Sequence, residues 1–222
     1  MVTYGVGLLS SIHQVAERAT RMRISILALA FAAALPVGAA AEVSWLGDRT
    51  VQQRLAAGEI VIRADVEPDA QRGRIAAAIR INAPPESIWS VLTDCEHASA
   101  FVPGLKRCRL IEHAADGSHD LIEHEVKYSW LMPTIRCVLR ANYQRPLRLD
   151  FHRIDGDMRE EEGSWRLERQ AGSRATIVEY RLYVDPGFWI PQALVRHSLR
   201  VELPAALAAL RSRVEAAARA PR

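Results

Sequence analysis

The chain has 222 residues, with 29 basic and 26 acidic side chains and a net charge of +3. Residues 42–222 keep 26 of the basic and 25 of the acidic groups, so the bulk of the chain is almost neutral. Its arginines alternate singly with apolar residues and form no basic block, which excludes a nucleic-acid partner. No Gly-x-Ser-x-Gly, His-Glu-x-x-His or P-loop pattern occurs there, so the common hydrolase, zinc-protease and nucleotide-binding signatures are excluded as well.

Residues 1–41 read as a separate extension. Arg21 and Arg23 flank Met22, the run from Ile24 to Val37 is apolar except for Ser25, and Ala39-Ala40-Ala41 ends it. A basic start, a short apolar centre and small residues at the end compose a secretory signal peptide. A helix over that run would be about 21 Å long, short of a bilayer core of ~30 Å. The expectation is translation from Met22, cleavage after Ala41 and a periplasmic or secreted product, with an uncleaved anchor as the alternative. Residues 42–222 are then one domain.

Within the domain, Asp48 caps a short helix to Ala56, with Gly58 just beyond it. Residues 59–66 and 74–81 alternate in polarity and form a hairpin turned at Pro68-Asp69. Pro84-Pro85 leads into an amphipathic helix through Ile88, Trp89 and Leu92. Asp94 is expected to open a second short helix that Pro103-Gly104 stops.

A meander of strands follows. In Asp120–Tyr128, His124 shares one face with Ile122, Val126 and Tyr128, while Glu123, Glu125 and Lys127 take the other; the His124 face should point inward. Next come Thr134–Tyr143 with Ile135, Cys137 and Leu139 on one face, and a strand with Leu147, Leu149 and Phe151. Asp155-Gly156 predicts a tight hairpin. Two further strands carry Trp165 with Leu167, and Val178 with Tyr180 and Leu182. One face of the sheet should be apolar and the other wet. Pro191 starts the last helix, whose stripe runs Val195, Leu199, Leu203, Leu207, Leu210, Val214. Pro204 removes the amide that would reach Arg200, so a kink or break is expected there.

In an oxidising compartment two of the three cysteines should pair. Cys95 and Cys108 are the expected pair, because the Pro103-Gly104 turn folds one back beside the other. Cys137, inside an alternating strand, reads as a small core residue.

The order strand, two small helices, strand meander and long helix predicts an α+β helix-grip fold, a curved antiparallel sheet around a C-terminal helix. Ala83-Pro84-Pro85-Glu86 with Ile88-Trp89, Leu92-Thr93-Asp94, Phe101-Val102-Pro103-Gly104-Leu105, Gly156-Asp157 and Gly163-Ser164-Trp165 carry a further signal. So does the Pro186–Pro191 stretch. Together they resemble the START-like (SRPBCC, polyketide cyclase/dehydrase) superfamily, the group that includes coenzyme Q-binding proteins. The resemblance spans about residues 55–218. It implies an apolar cavity and a ligand of the lipid, isoprenoid or quinone class. It transfers no catalytic residue and implies no cofactor or metal.

The candidate ligand-binding residues are the inward positions His124, Val126, Tyr128, Leu139, Phe151, Trp165 and Tyr180, with Val195, Leu199 and Leu203 from the helix. His124 reads either as a donor to a ligand oxygen, as an acid/base, or as a core histidine satisfied by its neighbours. Trp130, Met132, Phe188 and Trp189 read either as the rim of a cavity mouth that touches a membrane transiently, or as core closure. Glu160-Glu161-Glu162 reads as a solvated acidic run. Three functions stay open: a non-catalytic carrier of an apolar molecule, a cyclase or dehydratase using His124, and a ligandless interaction module. No acidic residue is expected on the His124 face, which ranks carriage above catalysis.

Overall fold

A computed structural model describes residues 45–67, 72–100, 102–127, 129 and 132–219. The signal-peptide reading, the Pro68-Asp69 turn, Phe101, Tyr128, Trp130 and Leu131 lie outside the described residues.

Eight antiparallel strands form one sheet: β1 (Val61–Val66), β2 (Gly73–Ile81), β3 (Leu105–His113), β4 (His119–Val126), β5 (Ile135–Gln144), β6 (Arg148–Gly156), β7 (Glu160–Arg169) and β8 (Thr176–Asp185). Their spatial order is β1-β2-β8-β7-β6-β5-β4-β3. The N-terminal hairpin therefore joins the end of the meander, with Ile79 opposite Val178 and Ala77 opposite Tyr180. Helix α1 (Arg49–Ala56) precedes the sheet, and α2 (Pro85–Leu92) links β2 to β3. The chain closes with α3 (Gln192–His197), a π turn over Ser198–Glu202, and α4 (Leu203–Arg219).

Period-two alternation decides what each strand offers the helix. Ala77, Ile79 and Ile81 of β2, Leu167 of β7 and Val178 of β8 form the main core with Ile88 and Val91 of α2 and Leu207, Leu210 and Val214 of α4. Complete burial of a side chain of this size contributes roughly 1.5–3 kcal/mol, so α4 is held firmly. Pro84 is the N-cap residue of α2 and Pro85 its first position, where a fixed φ helps and a missing N–H costs nothing. A second cluster, Trp89, Cys137, Leu139, Ala141, Leu149 and Phe151, fills the other half of the concave face.

Asp48 caps α1 as expected, accepting from the Thr50 and Val51 amides. Several expectations are corrected. The outer face is not uniformly wet, because α1 covers it with Val51 and Leu55 packed among Val61, Ala78 and Ile177. Beneath that cover, Trp45 Nε1 donates to Glu179 Oε1 at 2.6 Å, which satisfies a buried carboxylate. The second short helix shrinks to one 3-10 turn, Ala98–Ala100; Asp94 instead holds the His97 amide at 3.2 Å and its ring at 2.9 Å. Such local side-chain bonds compete with helical ones.

Asp155-Gly156 is not a hairpin turn. Gly156 ends β6 opposite Cys137 with φ 117°, next to a register shift at Val138/Leu139. A Cβ there would stand 2.3 Å from the Arg136 carbonyl oxygen, so this close strand approach admits only glycine. Nor is the helical stripe evenly seated. No residue of α3 or of the π turn is buried, whereas α4 buries Leu207, Leu210 and Val214. The π turn directly precedes Pro204, and the Leu203 amide reaches the Ser198 carbonyl. This is the expected break, and a local change of helical register lets the chain pass the missing proline donor. Cys95 and Cys108 are bonded, with Cα atoms 5.4 Å apart, which fastens the loop after α2 to β3; Cys137 is free and buried.

Candidate functional site

The poorly seated front of the C-terminal helix leaves a cavity of about 780 Å³. Met132, Pro133 and Ile135 line it from the start of β5, Phe188 and Trp189 from the loop after β8, and Leu194 from α3; Thr134 and Asp157 supply its polar atoms. Asp157 is already engaged, since its Oδ2 accepts from the Arg136 amide at 2.7 Å and its own amide donates to the Arg136 carbonyl at 2.8 Å. What remains is an apolar chamber. Trp189 stands at its edge with 68% of its surface exposed, far more than an indole needs for its single N–H.

Ile135 forms part of the chamber lining. One step further in on the same face, about 7 Å along the strand, stand Cys137 and its cross-strand partner His124. A polar row crosses the sheet here. Cys137 Sγ donates to Glu161 Oε2 at 3.0 Å, over the strand between them, and Arg153 of that strand donates through Nη2 to the Gly156 carbonyl at 2.8 Å. Arg153 Nε is buried without a hydrogen-bond partner. His124 makes no hydrogen bond among the described residues, and burial drops its pKa to about 4; the imidazole is neutral at physiological pH, with one donor and one acceptor. Burial also raises the Glu161 carboxyl above its ordinary range, against the pull of the Cys137 bond and of Arg153. Burial, then Glu161, pushes the Cys137 thiol up, so it stays protonated and unreactive.

A second polar group lies further along the concave face. Tyr143 donates to Asp120 Oδ2 at 2.7 Å and the His113 ring meets Oδ1 at 2.6 Å. Trp89 packs edge-on against Tyr143 with centroids 5.4 Å apart, and the Arg145 guanidinium lies 4.8 Å from the Tyr143 ring. Burial and then the Asp120 bond raise the Tyr143 hydroxyl. These groups satisfy one another, and Asp120 ties His113 to the inner face.

The residues expected to contact ligand separate into groups. Leu139 and Phe151 are buried core, while Trp165 and Tyr180 touch with centroids 4.4 Å apart and belong to the packed centre. Leu203 leans on the main core. Val195 and Leu199 line a smaller cavity of about 80 Å³ with Val66, Ile75 and Val184. Val126 and His124 are partly buried on the inner face, with Val126 paired to the cavity-lining Ile135. Tyr128 lies outside the described residues. Met132, Phe188 and Trp189, weighed as rim residues, do line the large cavity.

Glu161 corrects two expectations. It is not part of a solvated run, and together with Asp120 it puts an acid on the face that His124 occupies. The signal was present in the sequence: counting back by twos from Leu167 through Trp165 and Gly163 reaches Glu161. The same count from Leu149 and Phe151 reaches Arg153.

An α+β sheet gripping a C-terminal helix, with an apolar chamber under that helix, defines a class of small-molecule-holding folds. Residues 81–211 match the family described as polyketide cyclase / dehydrase and lipid transport, and the chain belongs to that family. The solved structure of a STAR-related lipid transfer protein from Xanthomonas axonopodis superposes with a TM-score of 0.59 at 17% identity, covering 70% of this chain and 93% of that one. The Zhui aromatase/cyclase from Streptomyces sp. R1128 gives 0.56 at 14%, covering 67% and 97%. A START superfamily protein from Mycobacterium smegmatis gives 0.54 at 21%, covering 65% and 98%. At these identities the likeness is one of fold. A search of curated proteins finds no match to this chain.

Proposed function

We propose that this protein is an exported, non-catalytic carrier that holds one apolar small molecule, a lipid, isoprenoid or quinone, beneath the front of its C-terminal helix. The observation that carries this reading is the chamber of about 780 Å³ lined by Met132, Ile135, Phe188, Trp189 and Leu194. Its volume falls in the usual range for small-molecule sites, and its lining matches their character. Burial of a hydrocarbon tail there would be driven at ~25 cal/mol per Å². A ligandless interaction module has no use for such a space. The exposed Trp189 beside Phe188 gives the mouth an amphipathic lip suited to brief contact with a bilayer during exchange.

Glu161 reopens the enzymatic alternative, a cyclase or dehydratase with His124 as acid/base, and the sheet's geometry argues against it. His124 is on β4 and Glu161 on β7, with β5 and β6 between them, and Glu161 is bonded to the Cys137 thiol while no hydrogen bond joins it to His124 among the described residues. The two groups are not placed to share one substrate proton. Cleavage after Ala41 and a periplasmic or secreted location complete the proposal, and mass analysis of the exported form should find Glu42 at its start.

Native mass spectrometry of protein purified from its own envelope, with lipid extraction, tests the carrier reading. A single apolar adduct supports it. Protein that emerges empty, and stays empty when offered quinones, fatty acids and phospholipids, overturns it.

A further inference from the structure

We infer that the polar row behind the chamber reads the head of the ligand, and that the head is a carboxylate recognised by Arg153 and Glu161. This rests on the carrier reading and narrows it to a chemical class: a hydrocarbon chain ending in an acid, rather than a neutral quinone or alcohol.

Several arginines on the outer face and edges are matched with carboxylates: Arg109 and Arg136 flank Glu123 at 2.8 and 2.7 Å, Arg159 meets Asp185 at 3.1 Å and Arg181 meets Glu179 at 2.8 Å. Arg153 is not matched in this way. It follows Phe151 on the inward face of β6, makes no ion pair among the described residues, and spends one nitrogen on the Gly156 carbonyl at 2.8 Å. Its Nε–H is buried and unpartnered. A buried guanidinium donor left in this condition is costly, and charged groups are the most costly of all. An anionic oxygen would satisfy it.

Glu161 does not fill that role: among the described residues no hydrogen bond or ion pair joins it to Arg153, and its Oε2 accepts from the Cys137 thiol at 3.0 Å. Burial favours the protonated form of its carboxyl, and a carboxylate brought alongside would favour it further, since two neighbouring anions cannot both stay ionised. A protonated Glu161 donates a second hydrogen bond to the incoming acid. The thiol contact holds the Glu161 side chain in place, and the apolar chamber at Ile135, one residue step outward from Cys137 on the same face, receives the chain.

Titration of the whole protein at pH 7.4 with hexadecanoate, methyl hexadecanoate and 1-hexadecanol tests this. The acid should bind roughly tenfold or more tightly than the ester and the alcohol, the return on one or two charge-assisted hydrogen bonds. Arg153→Met should erase that preference, while Glu161→Gln, whose amide still donates, should keep most of it. Equal binding of all three by the wild-type protein overturns the inference and leaves the carrier reading standing. Persistence of the preference in Arg153→Met also overturns it. Failure of all three to bind overturns the inference as well, and the carrier reading is then decided by the native mass spectrometry described above. The wild-type comparison needs no variant to fold.

Discussion

Cys137 and Glu161 are joined by a 3.0 Å hydrogen bond although β6 lies between their strands. The reach is open because the residue opposite Cys137 is Gly156, which has no side chain to stand in the way. One thiol and one carboxyl thereby occupy the inner face beside the apolar chamber. The bond gives the glutamate a partner on a concave surface where Leu139, Phe151 and Trp165 supply the apolar packing.

Glu161 should make the protein's stability depend on pH. Its folded-state pKa lies above the ordinary 4.5, so the folded chain holds this proton more tightly than the unfolded one. The contribution is present below the ordinary carboxylate range and is lost as pH rises through the folded value. Each tenfold difference in proton affinity corresponds to about 1.4 kcal/mol. Glu161→Gln should therefore gain on the wild type as pH is raised from 4 toward 8 in urea melts, and parallel curves would refute the assignment.

His124 should act in the opposite sense. Its pKa falls from 6.5 to about 4 on folding, so its contribution is present above 6.5 and is lost as pH drops from there toward 4. Allowing for the partial exposure of the ring, the loss is about 2 kcal/mol. His124→Gln should remove that component from melts compared at pH 7 and pH 4.5.

Much of the architecture was legible because alternation in strands such as Asp120–Val126 and Thr176–Asp185 is strict and the helical stripe is long. The places where the reading failed have physical reasons. Asp155-Gly156 has the composition of a tight turn, yet its glycine serves close strand approach at a bulge, and composition does not separate the two demands. Glu161 lay hidden between Glu160 and Glu162, where a local run of charge outweighs period two. The stripe Val195–Val214 gives no hint that only its second half is seated. That division follows from the π turn before Pro204 and from the loop geometry around Phe188 and Trp189.

Glycine 156 should be intolerant of any side chain. Gly156→Ala combines a φ of 117° with contacts of 2.3 Å to the Arg136 carbonyl oxygen and 2.8 Å to the Cys137 Cα, and should cost about 2–4 kcal/mol. Gly172→Ala is the control: φ is 70° there, with nothing within 4 Å of a new Cβ, so the cost should be only the left-handed penalty of about 1 kcal/mol. Equal losses in chemical denaturation would show that the bulge is not tight.

The two halves of the last helix should differ in protection. Residues 192–202 bury no side chain, while Leu207, Leu210 and Val214 are locked in the core. Hydrogen exchange should be markedly faster in 192–202 than in 205–214, since local opening follows buried apolar contact. Uniform protection would mean that the front half is as firmly held as the back.

The carrier account turns on whether the chamber under α3 is where an apolar chain resides. Ala193 lines it and is itself exposed, so Ala193→Trp should occupy the space without disturbing the core. Binding of hexadecanoate to wild type and Ala193→Trp, measured at matched thermal stability, is the most direct test. The account predicts affinity at least roughly tenfold weaker in the variant, as expected when a site of this kind loses its apolar volume. Undiminished binding by Ala193→Trp would contradict it.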